Sequence, residues 1–425
     1  MVPPSAEINL SSMPSPMTRT LVFGPKKMTK FRSQTPNFCL YSGMLDRPGY
    51  LEQLRNTVSR SPVTALLGPR QCGKTTLARL FATDRQATFF DLESVVDRRR
   101  LQNPELVLGG LPGLVILDEI QEAPELYAVL RVLVDRPGAD TRFLILGSAS
   151  PQLTRGASES LAGRIEFIEM GGFDLTDTGA GGLEALWLRG GFPRSWLAAS
   201  ESDSLAWREG FVRTFLERDI PQLGIRIPAP AMRRFWTMLA HHHGQTWNAS
   251  ELARSMGLSD KTVRGYLDLL TGTYMLRQLQ PWHENLGKRQ VKAPRIYFRD
   301  PGLLHHLLDI PTRHHLLGHP KVWASWEGFA IEQILRAFRA REAYFWATHE
   351  GAEVDLLFTA GGRKLGFEIR FTEAPRMTAS MRTAQETLGL DHLYVVHPGA
   401  HRFPMGAGAT ALPLAAIPEL ATDRP

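Results

Sequence analysis

Five short apolar runs are spaced through the first 170 residues, separated by longer stretches of mixed, helix-like sequence. The runs cover residues 63–67, 88–93, 114–117, 142–146 and 164–170. Short apolar strands that alternate with helices are typical of a parallel sheet whose two faces are both covered. The pattern therefore predicts an α/β fold, a doubly wound parallel sheet, over residues 44–175.

Beyond residue 175 the pattern becomes mainly helical. A Gly/Thr/Asp-rich linker is expected at 171–182, and the helical stretches up to residue 239 predict a helical lid over 176–239. Two short helices, at 248–258 and 259–270, are divided at Gly257, which is typical of a helix-turn-helix. With a wing expected at 288–298, they predict a winged helix over residues 240–312.

The last part of the chain returns to mixed α/β character. A helix is expected at 325–340, followed by strands at 343–346, 354–358, 364–371 and 392–397. These elements predict a small α/β domain over residues 313–400. Residues 401–425 are rich in Ala, Pro and Gly and are expected to form a flexible tail.

The first apolar run leads into a strand–loop–helix motif. Its loop, GPRQCGKT, matches G-x-x-x-x-G-K-[ST], the pattern of a phosphate-binding loop. Backbone N–H groups of such a loop and the positive end of the next helix hold an anion. The motif predicts ATP binding through Gly68, Pro69, Arg70, Gln71, Cys72, Gly73, Lys74, Thr75 and Thr76.

A second motif follows the third apolar run, where Asp118 and Glu119 end a strand. Asp118, together with the Thr75 hydroxyl, is expected to hold the Mg²⁺ that accompanies ATP, and Glu119 is expected to polarise the attacking water. Ser148 ends the next strand and is placed to orient water or the γ-phosphate. Arg164 is a candidate for neutralising charge in the transition state, within the chain or across a subunit boundary, and Arg155 is its rival.

Charge and composition add little to this picture. The net charge is +6, and residues 1–43 hold five basic residues against one acid, which leaves the rest of the chain close to balanced. Those residues predict a disordered basic extension, and Met44 is a candidate start of the native chain. The absence of long apolar runs and the presence of only two cysteines favour a soluble cytoplasmic protein with no membrane partner.

Several segments together resemble a known family. GPRQCGKTTLARL, LVILDEIQEAP, LILGSAS, GGFPRS, FLERDIPQLG and GAEVDLLF are similar to the AAA-type ATP-binding proteins of bacteria and archaea whose C-terminal half is a domain of unknown function. The resemblance covers roughly residues 44 to 400. It implies an ATPase core, a winged-helix middle and a terminal fold similar to restriction-type nucleases.

The resemblance also implies a second candidate site. Nucleases of that architecture hold Mg²⁺ with an acid on the first helix, an Asp on one strand and Glu-x-Lys on the next. The matching positions here are Glu327, Asp355, Glu368 and Arg370. Arg370 departs from the pattern because an arginine stays protonated and cannot act as a base. Active nuclease chemistry and a degenerate binding scaffold both remain open.

Three functions follow as hypotheses. The first is a nucleotide switch with slow Mg²⁺-dependent ATP hydrolysis that controls the C-terminal domains. The second is an ATP-regulated DNA-binding protein or nuclease, with Lys261, Arg264 and the Lys288–Arg289 pair touching phosphates. The third is a non-catalytic, ATP-stabilised adaptor for a protein partner, which the acids Asp260 and Asp268 on the same helix also allow. An oligomer is compatible with all three.

Overall fold

The computed structural model describes residues 45–138, 140–148, 159–224, 227–283 and 291–423. Several predictions lie outside these residues, namely the extension at 1–43, the start at Met44, Arg155 and the Lys288–Arg289 pair. Within the described ranges, no helix has both the length and the apolar character needed to cross a membrane.

A five-stranded parallel sheet forms the N-terminal part, in the order β2-β3-β4-β1-β5. Successive residues of β1 point to opposite faces, so Leu66 packs into one core while Ala65 and Leu67 pack into another. The predicted doubly wound fold is therefore confirmed. Its strands are β1 (Val63–Gly68), β2 (Ala87–Asp91), β3 (Leu114–Asp118), β4 (Arg142–Ser148) and β5 (Ile165–Glu169).

Helices cover both faces of this sheet. Proline is favoured at the first helical position because its missing N–H has no partner there, and Pro48 and Pro104 each begin a helix in this way. The helices are α1 (Pro48–Arg60), α2 (Lys74–Ala82), α3 (Val95–Arg100), α4 (Pro104–Gly109) and α5 (Leu126–Val134), with a 3-10 turn at Ile120–Glu122.

The expected linker at 171–182 is packed rather than extended. Asp174 caps a helical turn by accepting hydrogen bonds from the backbone N–H groups of Thr176 and Asp177. Gly172 and Gly191 lie so close that a Cβ on Gly172 would stand 2.4 Å from the Gly191 carbonyl. The segment is thus part of a continuous core that joins the first sheet to the rest of the chain.

The middle of the chain is helical, as the sequence predicts. One departure is the stretch Phe215–Asp219, which continues a longer helix as a π-helix. The helices are α6 (Leu175–Thr178), α7 (Leu183–Arg189), α8 (Pro193–Trp196), α9 (Glu201–Thr214), α10 (Ile220–Gln222) and α11 (Ala229–His241), and a 3-10 turn lies at Ala180–Gly182.

A helix-turn-helix follows, formed by α12 (Ala249–Met256) and α13 (Asp260–Gly272). Gly257 ends the first helix with φ 68°, and Ser259 caps the second by accepting from the Thr262 N–H. Strands β6 (Leu276–Pro281) and β7 (Arg295–Phe298) then pair as an antiparallel hairpin.

This hairpin belongs to an eight-stranded sheet, in the order β12-β13-β11-β10-β9-β8-β6-β7. One sheet therefore runs across the expected boundary at residue 312. The remaining strands are β8 (Tyr344–Ala347), β9 (Glu353–Ala360), β10 (Arg363–Ile369), β11 (His392–His397), β12 (Phe403–Gly406) and β13 (Ala409–Pro413). The helices are α14 (Pro301–Leu307), α15 (Arg313–Gly318), α16 (Val322–Phe338), α17 (Ala379–Leu388) and α18 (Ile417–Thr422).

The expectation of a flexible tail at 401–425 is wrong for residues 403–422. Strand β13 pairs in parallel with β11, and Leu412, Leu414 and Ile417 are fully buried in the core. Burial of these apolar side chains stabilises the segment, although its Ala, Pro and Gly content gives little local strand signal.

Candidate nucleotide site

The phosphate-loop sequence forms a tight turn between β1 and α2. Gly73 has φ 99° and Gln71 has φ 61°, so the backbone passes twice through the left-handed region. Gly68 is required for a different reason, since a Cβ there would lie 2.0 Å from the carbonyl oxygen of Met170. The predicted strand, loop and helix are all present, and the N-terminus of α2 faces the loop.

Lys74 is the buried cation of this loop, with 5% of its surface exposed. Its Nζ donates hydrogen bonds to the carbonyl oxygens of Gly68 (3.0 Å) and Pro69 (2.9 Å). These bonds hold the ammonium across the mouth of the loop. Together with the amide groups at the start of α2, it makes a positively polarised pocket suited to phosphate.

Thr75 and Asp118 meet across the site. The Thr75 hydroxyl donates a 2.7 Å hydrogen bond to Asp118 Oδ2, while Asp118 Oδ1 accepts from the backbone N–H of Glu119. Burial raises the pKa of Asp118, because a charged carboxylate loses hydration there. A hydroxyl oxygen beside a poorly solvated carboxylate is a donor set that fits Mg²⁺ bound with a nucleotide.

Glu119 and Ser148 also come together. Ser148 Oγ donates a 3.1 Å hydrogen bond to Glu119 Oε2, and the side-chain amide of Gln121 donates to the same oxygen. Glu119 has φ 54°, an uncommon backbone conformation for a residue other than glycine. Gln121 was not predicted, because nothing in its local sequence distinguishes it from a helix-start polar residue.

Arg70 is a second feature that sequence reasoning did not resolve. It lies in the phosphate loop, yet its guanidinium donates to Asp219 at 2.6 Å and to Glu93 at 3.0 Å. Asp219 ends the π-helix, so this contact ties the loop to the helical middle. A cleft lies beside the loop. It is lined by residues of the first sheet region, of the π-helix and of the segment after α13, including Arg70, Gln121, Ser148, Asp219, Thr273 and Met275.

Arg164 does not join the site. It precedes β5, whose first residue pairs with Val63 at the start of β1, whereas the phosphate loop follows the end of β1. Six residues of strand separate these ends by roughly 16 Å. Arg164 instead forms an ion pair with Asp135 at 2.7 Å. A catalytic role within the chain is therefore wrong, and a role across a subunit boundary stays a prediction.

The predicted second site has its acids close together but arranged around a protein cation. Arg295 contacts Asp355 at 3.3 Å, Glu327 at 3.8 Å and Glu353 at 2.6 Å. Glu368 lies in the same cluster and forms an ion pair with Arg370. Among the residues that the structure describes, no group of three or more His, Cys, Asp or Glu is arranged to hold a metal ion.

These acids are poorly solvated. Burial, followed by the charge of Asp355, raises the pKa of Glu327 to about 8, although Arg295 opposes the change. Burial and Asp355 likewise raise the pKa of Glu368 well above its ordinary value. The cluster is therefore a desolvated network whose members influence one another's protonation.

Comparisons with known protein families divide the chain into three parts. Residues 60–178 match the model of an AAA domain, residues 181–314 match a domain of unknown function (DUF8612), and residues 324–417 match another (DUF4143). A solved structure, the Walker-type ATPase of Pyrococcus abyssi, aligns with a TM-score of 0.46 and 16% identity, covering 62% of this chain and 96% of that chain.

Two mycobacterial proteins resemble this chain along most of its length. Uncharacterized proteins of Mycobacterium bovis and Mycobacterium tuberculosis are each 51% identical to it over 370 residues, which is 87% of this chain and 84% of theirs. The chain therefore belongs to the family of these mycobacterial proteins, and it combines an AAA-type ATPase domain with C-terminal domains of unknown function.

Proposed function

We propose that the protein binds Mg·ATP at the loop formed by residues 68–76, hydrolyses it slowly and uses the nucleotide as a switch for its C-terminal domains. The observation that carries the proposal is the 2.7 Å contact between Thr75 and Asp118 beside the buried ammonium of Lys74. Lys74 exchanges its two carbonyl partners for the β- and γ-phosphates, while Thr75 and Asp118 hold the Mg²⁺. The metal offsets the charge that develops on the phosphate oxygens.

Slow turnover follows from the hydrogen bonds that the Glu119 carboxylate accepts. Its Oε2 accepts hydrogen bonds from Gln121 and Ser148, and each bond lowers the ability of the carboxylate to polarise water. Breaking either bond makes more of the carboxylate charge available to the attacking water. That reorganisation separates nucleotide binding from hydrolysis, which is what a switch requires.

Two contact paths support transmission from the nucleotide to the C-terminal half. The first is the Arg70–Asp219 pair, which links the loop to the π-helix at Phe215–Asp219. Arg70 belongs to the loop that would surround the phosphates. A change in the conformation of this loop therefore moves the Arg70 guanidinium and, through the ion pair, Asp219. Single-turn π segments inside helices are often found at functional positions.

The second path runs through residues 170–172, the segment that packs against the phosphate loop. Arg47 donates to the carbonyl oxygens of Gly171 (2.9 Å) and Gly172 (2.8 Å), and Arg336 on α16 donates to Gly172 as well (3.1 Å). Since Met170 touches Gly68, displacement of the loop reaches α16 within a few contacts. Helix α16 carries Glu327 of the acid cluster, so the path ends in the terminal domain.

Hydrogen exchange of the full chain, with and without Mg·ATP, tests the switch. We expect protection of residues 68–82 and a simultaneous change of exchange in the π-helix and in α16. Protection confined to the loop would instead support the alternative of a non-catalytic adaptor that ATP merely stabilises.

The helix-turn-helix is proposed as the place where a partner binds. Its exposed charges are balanced, with the basic residues Arg254, Lys261 and Arg264 beside the acids Glu251, Asp260 and Asp268. Binding to DNA without sequence preference depends on an excess of positive charge. The balance therefore favours a protein partner over the duplex DNA of the second hypothesis.

A further inference from the structure

The acid cluster of the terminal domain contains a feature that the resemblance to nucleases does not imply. Arg295, on β7, projects among the carboxylates of α16 and β9, which would have to converge on a metal. Its Nη1 contacts Asp355 and Glu327, and its Nη2 contacts Glu353. A planar guanidinium with five donors can satisfy several carboxylates at once, as a divalent cation does.

Four of the carboxylate oxygens that a metal would need already have partners, whereas Oε2 of Glu368 is buried and accepts no hydrogen bond. Asp355 uses Oδ1 for Arg295 and Oδ2 for the backbone N–H of Ile369, at 2.9 Å. Glu327 Oε1 accepts from the hydroxyl of Tyr297, and Glu368 Oε1 accepts from Arg370. Mg²⁺ requires near-octahedral oxygen coordination. The residues present therefore do not fit a resident metal while Arg295 keeps this position.

Arg295 is fixed rather than loosely placed. Its backbone lies in the β6–β7 hairpin opposite Leu279 and forms a bridge with Thr246, which lies just ahead of α12. Its guanidinium stacks over the ring of Phe345 on β8 with 4.8 Å to the centroid, and only 13% of the side chain is exposed. Packing on several sides means that the cation does not leave the cluster by a simple rotation.

We propose that Arg295 is the built-in cation of this cluster, taking the place of a divalent metal and fastening the hairpin next to the helix-turn-helix to the terminal domain. The nuclease-like site is then a network of ion pairs that contains no metal and holds the hairpin against the terminal domain. Four acids, Glu327, Glu353, Asp355 and Glu368, face two arginines, Arg295 and Arg370. Removal of Arg295 leaves an excess of negative charge in a desolvated pocket, and that pocket should then bind a divalent cation.

The test is Mn²⁺ binding to the full chain without nucleotide, measured from the electron paramagnetic resonance signal of free Mn²⁺. Arg295→Met keeps an unbranched apolar stem but removes the charged guanidinium, and Arg363→Met removes an exposed arginine of β10 as a control. We expect Arg295→Met to gain a Mn²⁺ site whose affinity exceeds that of wild type by on the order of tenfold. Adding Asp355→Asn should abolish that site, whereas Arg363→Met should behave as wild type.

Two results would overturn the proposal. One is a folded Arg295→Met protein that gains no Mn²⁺ binding dependent on Asp355. The other is wild-type protein that binds Mn²⁺ at a site lost in Asp355→Asn, because Arg295 would then not occupy the cation position. The second comparison needs no change at Arg295, so it decides the question even if Arg295→Met does not fold. Neither result bears on ATP binding at Lys74.

Discussion

Ser148 donates a 3.1 Å hydrogen bond to Glu119, and this contact joins the ends of two neighbouring strands, β4 and β3, at the phosphate loop. The carboxylate proposed to polarise water is thus held by a residue that is itself predicted to orient water or the γ-phosphate. Binding and hydrolysis can then be separated by substitutions at Glu119.

Glu119→Gln should bind Mg·ATP and fail to hydrolyse it. The amide keeps the shape of the side chain but lacks the charge that polarises water, so we expect turnover to fall by about 10²-fold or more, with affinity little changed. Release of phosphate under single-turnover conditions measures this. Glu125→Gln, at an exposed position seven residues from Asp118, is the matched control. Wild-type turnover in Glu119→Gln would remove this residue from the mechanism.

Asp219→Asn should uncouple the switch without abolishing nucleotide binding. The substitution removes one of the two charged partners of Arg70, leaves its pair with Glu93 in place and does not change the loop itself. We expect ATP affinity within about threefold of wild type, equivalent to less than about 1 kcal/mol, and a loss of the nucleotide-dependent hydrogen exchange at Phe215–Asp219. Glu217→Gln is the control, because Glu217 pairs with Arg213 on the exposed side of the same segment. Retention of the full response in Asp219→Asn would contradict the first coupling path.

Glu332 should make folding sensitive to acid. It contacts Arg277, Arg299 and Arg336, and although its burial would raise its pKa, the charges of Arg277 and Arg299 lower it to about 2. A pKa depressed from its ordinary value stabilises the folded state above about pH 4.5, and this stability is lost as the pH falls towards 2. The loss between pH 6 and pH 3 should be about 2 kcal/mol.

Urea unfolding of wild type and Glu332→Gln at pH 6 and pH 3 measures that loss. Glu332→Gln should be less stable at pH 6, because it removes the carboxylate that three largely buried arginines share, and should lose less stability than wild type on acidification. Glu342→Gln, at an exposed position, should follow wild type. Equal losses in wild type and Glu332→Gln would show that Glu332 is not ionised in this network.

The helix-turn-helix should bind random duplex DNA weakly. Because its exposed charges balance, we expect no retardation of duplex in a gel at physiological salt, and no difference after Lys261→Glu with Arg264→Glu. A shift that weakens steeply with salt and disappears in the double variant would favour the DNA-binding alternative.

The geometry of the candidate nucleotide site could be predicted from sequence because its parts are local. The loop from Gly68 to Thr75 has fixed spacing, and Asp118 and Ser148 each follow an apolar strand, so a parallel sheet brings them to one edge. Gln121 could not be singled out in this way, since its role depends on the left-handed backbone of Glu119, which turns the chain back toward Ser148.

The role of Arg295 could not be predicted, because its partners lie far away in the sequence. Glu353 is 58 residues from Arg295 and Asp355 is 60 residues away, and only the eight-stranded sheet brings β7 near them. The wrong expectation at residues 401–425 has a similar origin. Ala409 and Ala411 are small and weak strand formers, and they are held in β13 by pairing with β11.

The affinity of the Lys74→Ala protein for Mg·ATP, measured by titration calorimetry beside wild type, tests the central claim most directly. Lys74 is the buried ammonium of the loop, whereas Lys261→Ala removes an exposed lysine of α13 and is the control. We predict that binding falls by about 10²-fold or more in Lys74→Ala, because a charge-assisted contact to phosphate is lost in a poorly solvated site, and that Lys261→Ala binds as wild type does. Unchanged affinity in Lys74→Ala would contradict the assignment of this loop as the ATP site.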